Sequence, residues 1–254
     1  MTTALIGSTG FVGQNLRLQT SFDALYHSTD IAQIEGRTFD RVVCAGVTAV
    51  KWWANQNAGE DRQRIDGLIH HLDRMQTREF VLISTVDIYK TPIDVNETTN
   101  TATPDLHPYG ANRLYLEDWA RQRFAHCHIL RLPALFGAGL KKNALFDLLH
   151  DNRLEYVDPA SRFQWYPLDR LSQDIDRVVQ STHHLVNLVT EPVRMADIQA
   201  RFFPQKHLGG ASQPAAYDIQ TVHADIFGKS GRYTMEQEEV FAAMARFIAS
   251  TATR

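Results

Sequence analysis

Cysteine is nearly absent from this chain: Cys44 and Cys127 are the only two, each in or beside an apolar run. Such usage points to buried thiols in a reducing compartment rather than to a disulfide framework. No apolar run approaches the ~20 residues of a membrane span, and the apolar start Ala4-Leu5-Ile6 is too short for a signal peptide. An excess of one charge is also lacking. The net charge is −3 with acids and bases interspersed, so there is no basic field for nucleic acid or an anionic membrane. The eleven histidines include His70-His71 and His183-His184, yet no His or Cys spacing repeats like a metal site. Internal repeats and low-complexity tracts are missing as well. What is present is 254 residues, 44% of them hydrophobic, enough for one sizeable core or a core plus a small cap. A cytoplasmic protein is expected.

The most informative stretch is Gly7-Ser8-Thr9-Gly10-Phe11-Val12-Gly13, between the apolar run Ala4–Ile6 and a helical pattern over Gln14–Leu18. A strand, a glycine turn and a helix start form the geometry that holds a dinucleotide pyrophosphate. Gly7 permits the tight turn, Gly10 lets backbone N–H groups approach the phosphates, and Gly13 lets helix and strand lie close. Thr9, Phe11 and Val12 complete the cradle, at the positive end of the helix dipole. The spacing is GxxGxxG rather than GxGxxG.

Ala24–His27 reads as a second strand, and its end should meet the adenosine ribose. An acid there suits NAD and a base suits NADP; His27-Ser28-Thr29 obeys neither rule, and Asp30 belongs to the following loop. NAD and NADP both stay open. After a short connection, Arg41–Gly46 is a buried strand ending in the small residues Ala45 and Gly46, against which a cofactor could lie. Lys51-Trp52-Trp53 follows in a loop, with the tryptophans packing beneath it or stacking a substrate. Ile65, Leu68, Ile69, Leu72 and Met75 mark a helix over about 57–76. Phe80–Ile83 is the next strand, running into Ser84-Thr85-Val86-Asp87-Ile88-Tyr89, and 90–108 is a polar loop.

A helix over 109–124 carries Tyr109 and Arg113 on one face, four residues apart. Its apolar residues fill more than one stripe, so it should be covered on two sides, by the sheet and by the 57–76 helix, its copy in a second subunit, or both; the 57–76 and 109–124 helices pairing with their copies would make a homodimer. Ile129–Leu132 is a strand leading to Pro133 and Gly137. Beyond it, 143–150 and 171–180 read as helices, 163–167 as extended and 185–189 as a late strand. Residues 200–231 read as loop, and 235–248 as a closing helix.

The glycine turn, Thr85 and Tyr109-x-x-x-Arg113 come in the order and approximate spacing of one family. The chain resembles the extended short-chain dehydrogenase/reductases, the nucleotide-sugar epimerase/dehydratase group. The likeness covers residues 1–175 well, including Arg131–Gly137 as the segment passing the nicotinamide and Phe163–Asp174 as the aromatic stretch before an Asp. The short link before Arg41 leans toward the dehydrorhamnose reductase branch. The resemblance implies an α/β chain: a Rossmann-type doubly wound parallel sheet over 1–135, then 136–254 with the remaining core strand and a small substrate cap. It implies a NAD or NADP site formed by Gly7, Thr9, Gly10, Phe11, Val12, Gly13, His27, Ala45, Gly46, Ser84, Tyr109, Arg113 and Pro133. It also implies a nucleotide-sugar substrate handled by Thr85, Tyr109 and Arg113, and no metal.

Two positions depart from the pattern. Arg113 stands where the family has lysine, and Ala134 where an asparagine often holds substrate. A phenol titrates near ~10 and needs a neighbouring cation to act as a base at neutral pH. Arg113 offers charge and donors but cannot relay a proton. On the family pattern Arg113→Lys should keep or raise activity. Two readings follow: an NAD(P)-dependent oxidoreductase, epimerase or dehydratase, or a dinucleotide-binding sensor or scaffold with weak or no catalysis.

Overall fold

A computed structural model describes residues 1–210 and 213–252. The elements in chain order are β1 (Thr3–Ile6), α1 (Phe11–Gln19), β2 (Ala24–Tyr26), β3 (Thr38–Cys44), α2 (Lys51–Gln56), α3 (Ala58–Leu72) and β4 (Gln76–Thr85). Then come β5 (Ile93–Val95), α4 (Pro108–Arg123), β6 (Cys127–Leu132), β7 (Ala134–Phe136), α5 (Ala144–His150), β8 (Arg162–Phe163) and β9 (Trp165–Pro167). The last are α6 (Leu171–Ser181), β10 (Leu185–Asn187), β11 (Val193–Arg194), α7 (Met195–Phe202), β12 (Asp218–Ile219) and α8 (Gln237–Ala252).

Six of the strands form one sheet in the order β2-β1-β3-β4-β6-β10, and every pairing in it is parallel. Leu5 lies between Leu25 and Val43, so the first three strands are in register at their centres. Of the doubly wound order 3-2-1-4-5-6, the strand outside β2 is missing, and β10 adds one beyond β6. The link from β2 to β3 holds only a short 3-10 turn, Ile31–Ile34, and the sheet stops at β2.

Because alternate strand residues face opposite sides, each strand feeds two cores. Ala4, Ile6, Val42, Cys44, Phe80, Leu82 and Ile129 pack with Ile65 and Leu72 of α3 and Leu116 and Ala120 of α4. Leu5, Val43, Val81 and Leu130 pack on the other side with Leu16 of α1 and Leu171, Ile175 and Val178 of α6. Both cysteines are buried and free. A further core joins Phe136, Leu145, Leu148, Trp165, Ile198, Val240, Phe241 and Met244 of the C-terminal elements. Gln164 anchors it to the rest: its amide donates to the carbonyls of Thr190 (2.6 Å) and Ile219 (2.7 Å) and accepts from the Ile219 N–H (2.9 Å).

Several local expectations change. Lys51–Gln56 is a short helix rather than a loop, with the Asn57 side-chain amide donating to the Trp53 carbonyl at its end. The polar loop after Tyr89 contains β5, and the 200–231 stretch contains β12; the two pair with each other, more than 120 residues apart. Such two- and three-residue strands carry no periodicity of their own. Within the chain α4 packs on α3, one of the arrangements expected, with Leu116 and Ala120 beside Ile65 and Leu72; Tyr115, half-buried, lies under the Arg62 guanidinium at 3.2 Å, and Trp119, also half-buried, is edge-on to Phe124 at 5.7 Å. Among the described residues no helix is long and apolar enough to cross a membrane.

Candidate functional site

The strand order reverses between β1 and β3, and at such a point a crevice opens beyond the carboxyl ends of the strands. The turn after β1 forms its floor. Gly7 has φ +81°, a conformation that disfavours any side chain. A Cβ on it would run into the Ala45 carbonyl, and a Cβ on Gly13 would overlap the carbonyl of Gly7. These two glycines are demanded by the chain's own packing. Gly10 is not: its backbone is ordinary, with φ −74°, and an added Cβ would meet only the Gly7 oxygen, at 3.3 Å. The space above Gly10 is open. Helix α1 starts there with no side-chain cap and no acid in its first turn. The first N–H groups of the helix, those of Phe11, Val12 and Gly13, are left at its positive end. Gln14 steadies the turn by donating to the Thr9 carbonyl at 2.7 Å.

On one side of this floor, Asp30 folds back onto His27. It accepts from the His27 N–H at 2.6 Å and lies 3.0 Å from the ring Nε2. The carboxylate that a ribose would want is thus engaged, and His27, Thr29 and Asp30 form one closed turn. The other side is the end of β3, kept thin by Ala45 and Gly46; a Cβ on Gly46 would press on Ile6 at 2.9 Å.

The reacting wall comes from the end of β4 and the start of α4. His107 caps α4, its Nδ1 accepting from the Gly110 N–H at 3.0 Å. A Cβ on Gly110 would collide with the Asp87 carbonyl, so the helix starts tight against the β4 end. This seats Tyr109 against the β4 end, on the side of Thr85. Thr85 Oγ1 accepts from the Asp87 N–H at 3.1 Å. Thr85 and Tyr109, named from sequence, therefore meet.

Arg113 is close as well, its guanidinium carbon 3.9 Å from the centre of the Tyr109 ring. Both of its terminal nitrogens, however, donate inside the protein. It forms an ion pair with Asp61 of α3 and donates to the Thr48 carbonyl at 2.6 Å. Asp61 is 1% and Arg113 5% exposed, and Asn112 gives Asp61 a second donor at 2.8 Å. Ser84 turns away from the crevice too. Its hydroxyl donates at 2.6 Å to Glu117, which holds Arg131 through two bonds of 3.0 and 2.6 Å. Pro133 is the single residue between β6 and β7, and Ala134 pairs with Trp165.

Three residues of the wall were not singled out from sequence. Lys51 Nζ donates to Asp87 Oδ1 at 2.7 Å, and the Tyr217 hydroxyl reaches the same oxygen at 3.3 Å. They arrive from three separate segments, and the only clue is that Lys51 and Asp87 both follow the carboxyl end of a parallel strand. Trp53 packs under Arg64 at 4.2 Å, whereas Trp52 is 65% exposed.

Burial pushes the Tyr109 phenol above its usual range; Arg113 opposes this, Asp87 adds to it, and Thr85 and Lys51 oppose it more weakly. The lowered phenol that a neighbouring cation led us to expect is not found in the chain by itself. Asp61 and Asp87 each pair with one of the two cations. Burial and Lys51 hold His107 below its ordinary value. For Lys51, burial works downward, but Asp87 and Tyr217 outweigh it and leave the ammonium above its ordinary value.

No family model matches this sequence, and no curated protein of known function matches it. Solved structures do resemble it. A dTDP-4-dehydrorhamnose reductase from Bacillus anthracis, in complex with NADP, superposes with a TM-score of 0.68 at 12% identity, covering 98% of this chain and 100% of that one. The chain has the fold of the extended short-chain dehydrogenase/reductases. A UDP-glucose 4-epimerase from Thermotoga maritima, solved with UDP-glucose, gives 0.68 at 13% identity over 99% of this chain and 100% of its own. An NAD-dependent NDP-hexosamine 5,6-dehydratase of tunicamycin biosynthesis gives 0.70 at 15% identity over 100% and 98%. At these identities the likeness establishes the fold and leaves the reaction to the site.

Proposed function

We propose that this chain binds NAD(H) or NADP(H) in the crevice between β1 and β3 and is an oxidoreductase, epimerase or dehydratase of a nucleotide sugar. The observation that carries the reading is the start of α4, with Tyr109, seated tightly on the β4 end that bears Thr85, beside an open glycine turn. The turn fits a dinucleotide: Gly10 is a glycine that the protein's own packing does not require, below a helix end that lacks an anion. Ala45 and Gly46 supply a thin second wall for the adenosine half. When bound, the nicotinamide would give or take the hydride.

The chain's own residues would manage the proton. Thr85 would hold the substrate oxygen in line with the Tyr109 hydroxyl. A phenol kept protonated by burial is suited to donate, so the reductive direction, in which Tyr109 protonates the oxygen of a carbonyl, matches the electrostatics of the free chain. The core of Phe136, Trp165, Ile198 and Phe241 and the segments around it, within 136–254, would form the substrate cap. A nucleotide sugar is the substrate class because proteins of this fold include enzymes named for such compounds.

Titration with NADH and NADPH tests the first half. Gly10→Val should weaken binding strongly while the chain stays folded; unchanged affinity for both cofactors would mean the site is misplaced. Tyr109→Phe should then abolish turnover and spare cofactor affinity. One observation favours a cofactor-binding sensor instead: both terminal nitrogens of Arg113 are engaged by Asp61 and Thr48. Under that reading Tyr109→Phe changes nothing measurable.

A further inference from the structure

Arg113 supplies a fixed charge next to Tyr109 but is closed in by Asp61 and cannot give up a proton. The wall contains a second cation of a different kind. Lys51 approaches from α2, its side chain 41% exposed, and meets Asp87 two residues beyond Thr85. Tyr217, from the C-terminal part of the chain, closes the same oxygen of Asp87. We infer that Lys51 is the solvent-linked cation against which Tyr109 changes its protonation, the part the family pattern gives to a lysine on α4, with Asp87 and Tyr217 holding it in place.

Lys51 is then a positioning residue: it acts on Tyr109 through charge and does not react. The geometry supports this over a purely structural role. Three titratable side chains from three segments converge beside the one tyrosine–threonine pair in the crevice, whereas a surface ion pair needs neither Tyr217 nor that location. Helix α2 lies against the start of α4, the Asn55 side-chain oxygen accepting from the Tyr109 N–H at 2.9 Å, so Lys51 at the head of α2 faces Tyr109 together with Arg113 from its own helix, Thr85 and Asp87 from the β4 end and His107 from the preceding loop. Those facing Lys51 are Asp87, Tyr217 and His107. Asp61 offsets Arg113 from behind. Of the two cations beside Tyr109, Lys51 is the one whose side chain is open to solvent and whose charge is not buried with its partner. The inference rests on the oxidoreductase reading for its purpose, but its test needs neither turnover nor cofactor.

The experiment places 3-fluorotyrosine at position 109 of the full chain and follows its 19F resonance through a pH titration. Removing a neighbouring cation shifts an acid by about one unit or more. Lys51→Met should therefore raise the midpoint by about one unit, roughly tenfold in proton affinity. Lys51→Arg should restore it, and Asp87→Asn should lower it. The Lys51→Met shift should also persist in an Asp87→Asn background, where no uncompensated carboxylate remains. A Lys51→Met midpoint equal to that of the parent, in a chain whose circular dichroism is unchanged, would overturn the inference. So would a Lys51→Arg midpoint displaced like that of Lys51→Met, which would trace the effect to packing. A shift that vanishes in the Asp87→Asn background would overturn it too, since Lys51 would then act only by silencing Asp87. Failure of cofactor titration would sink the oxidoreductase reading and leave these midpoints untouched, so the two failures are distinguishable.

Discussion

Consider the removal of Arg113. Both members of its pair with Asp61 are almost fully buried, and Arg113 spans two acceptors, Asp61 and the Thr48 carbonyl. Truncating one partner of a buried pair leaves the other charge in a medium that solvates it poorly, at a cost of about 3–5 kcal/mol. For a chain of this size each kcal/mol corresponds to roughly 2–4 °C, so Arg113→Ala should lower the melting temperature by about 6–20 °C. Asp61→Asn should behave similarly, despite its near-identical shape, because it strands the guanidinium. Replacing both members by apolar residues, as in Asp61→Leu with Arg113→Met, removes both charges at once. The double variant should cost only about 1–2 kcal/mol, chiefly for the Thr48 carbonyl left without its donor. Urea unfolding of the parent, Asp61→Leu, Arg113→Met and the double variant closes the cycle, and the coupling should be several kcal/mol in size. Arg113→Lys, which the family pattern favours, should now lose about 1–2 kcal/mol and gain no activity, because one ammonium cannot span both acceptors. Single variants each costing under about 1 kcal/mol, adding up in the double to within about 0.5 kcal/mol, would refute the view that this pair fixes α3, α4 and the β3 loop together.

Gly13→Ala should cost about 1–3 kcal/mol in urea, since its Cβ overlaps backbone that cannot move aside, whereas Gly10→Ala should leave stability within about 1 kcal/mol and weaken NAD(P)H binding; equal stability losses would mean that both glycines serve packing. Burial raises Tyr89, Tyr109, Tyr166, Tyr217 and Tyr233 above the usual phenol range. A phenol held neutral by the fold contributes stability that is fully present below about pH 10 and is lost as pH rises through the folded-state values, so urea midpoints should fall steeply above pH 10 while ultraviolet titration shows a minority of tyrosines ionising in the native chain. Burial likewise raises the thiols, Cys44 to about 11 and Cys127 to about 12; both should resist Ellman's reagent at pH 8 until denaturant is added.

The fold was legible where a signal repeats along the chain. The runs at Arg41–Cys44, Phe80–Ile83 and Ile129–Leu132 announce strands buried on both faces, and the structure sends their alternate residues to opposite cores. The α3 and α4 patterns were long enough to be read within a few residues of their ends. What escaped has a common physical origin. The α2 segment is six residues long, too short for a period to appear, and is fixed at its first residue by the distant Asp87. Strands β5 and β12 exist because each finds the other, with Gln164 holding the second in place. Neither sequence contains that information alone.

The site divides along the same line. Thr85 and Tyr109 could be named because each lies at a recognisable place, a strand end and a helix start, and their meeting follows from the Gly110 contact that seats α4 against the β4 end. The part played by Arg113 could not be read, because its meaning depends on Asp61, 52 residues away. An acid in the first turn of a helix has an ordinary explanation in the helix dipole. Only packing shows that this one neutralises Arg113. The same holds for Lys51 and Asp87, 36 residues apart. Asp61 offsets the charge of Arg113 on α4, and Lys51 brings a second cation from α2 to the β4 end that bears Thr85. Substituting one residue in the Tyr-x-x-x-Lys pattern therefore does not by itself argue against chemistry. It moves the question from the helix that carries the tyrosine to the loop that faces it, where sequence spacing has no rule to offer and charge and distance decide.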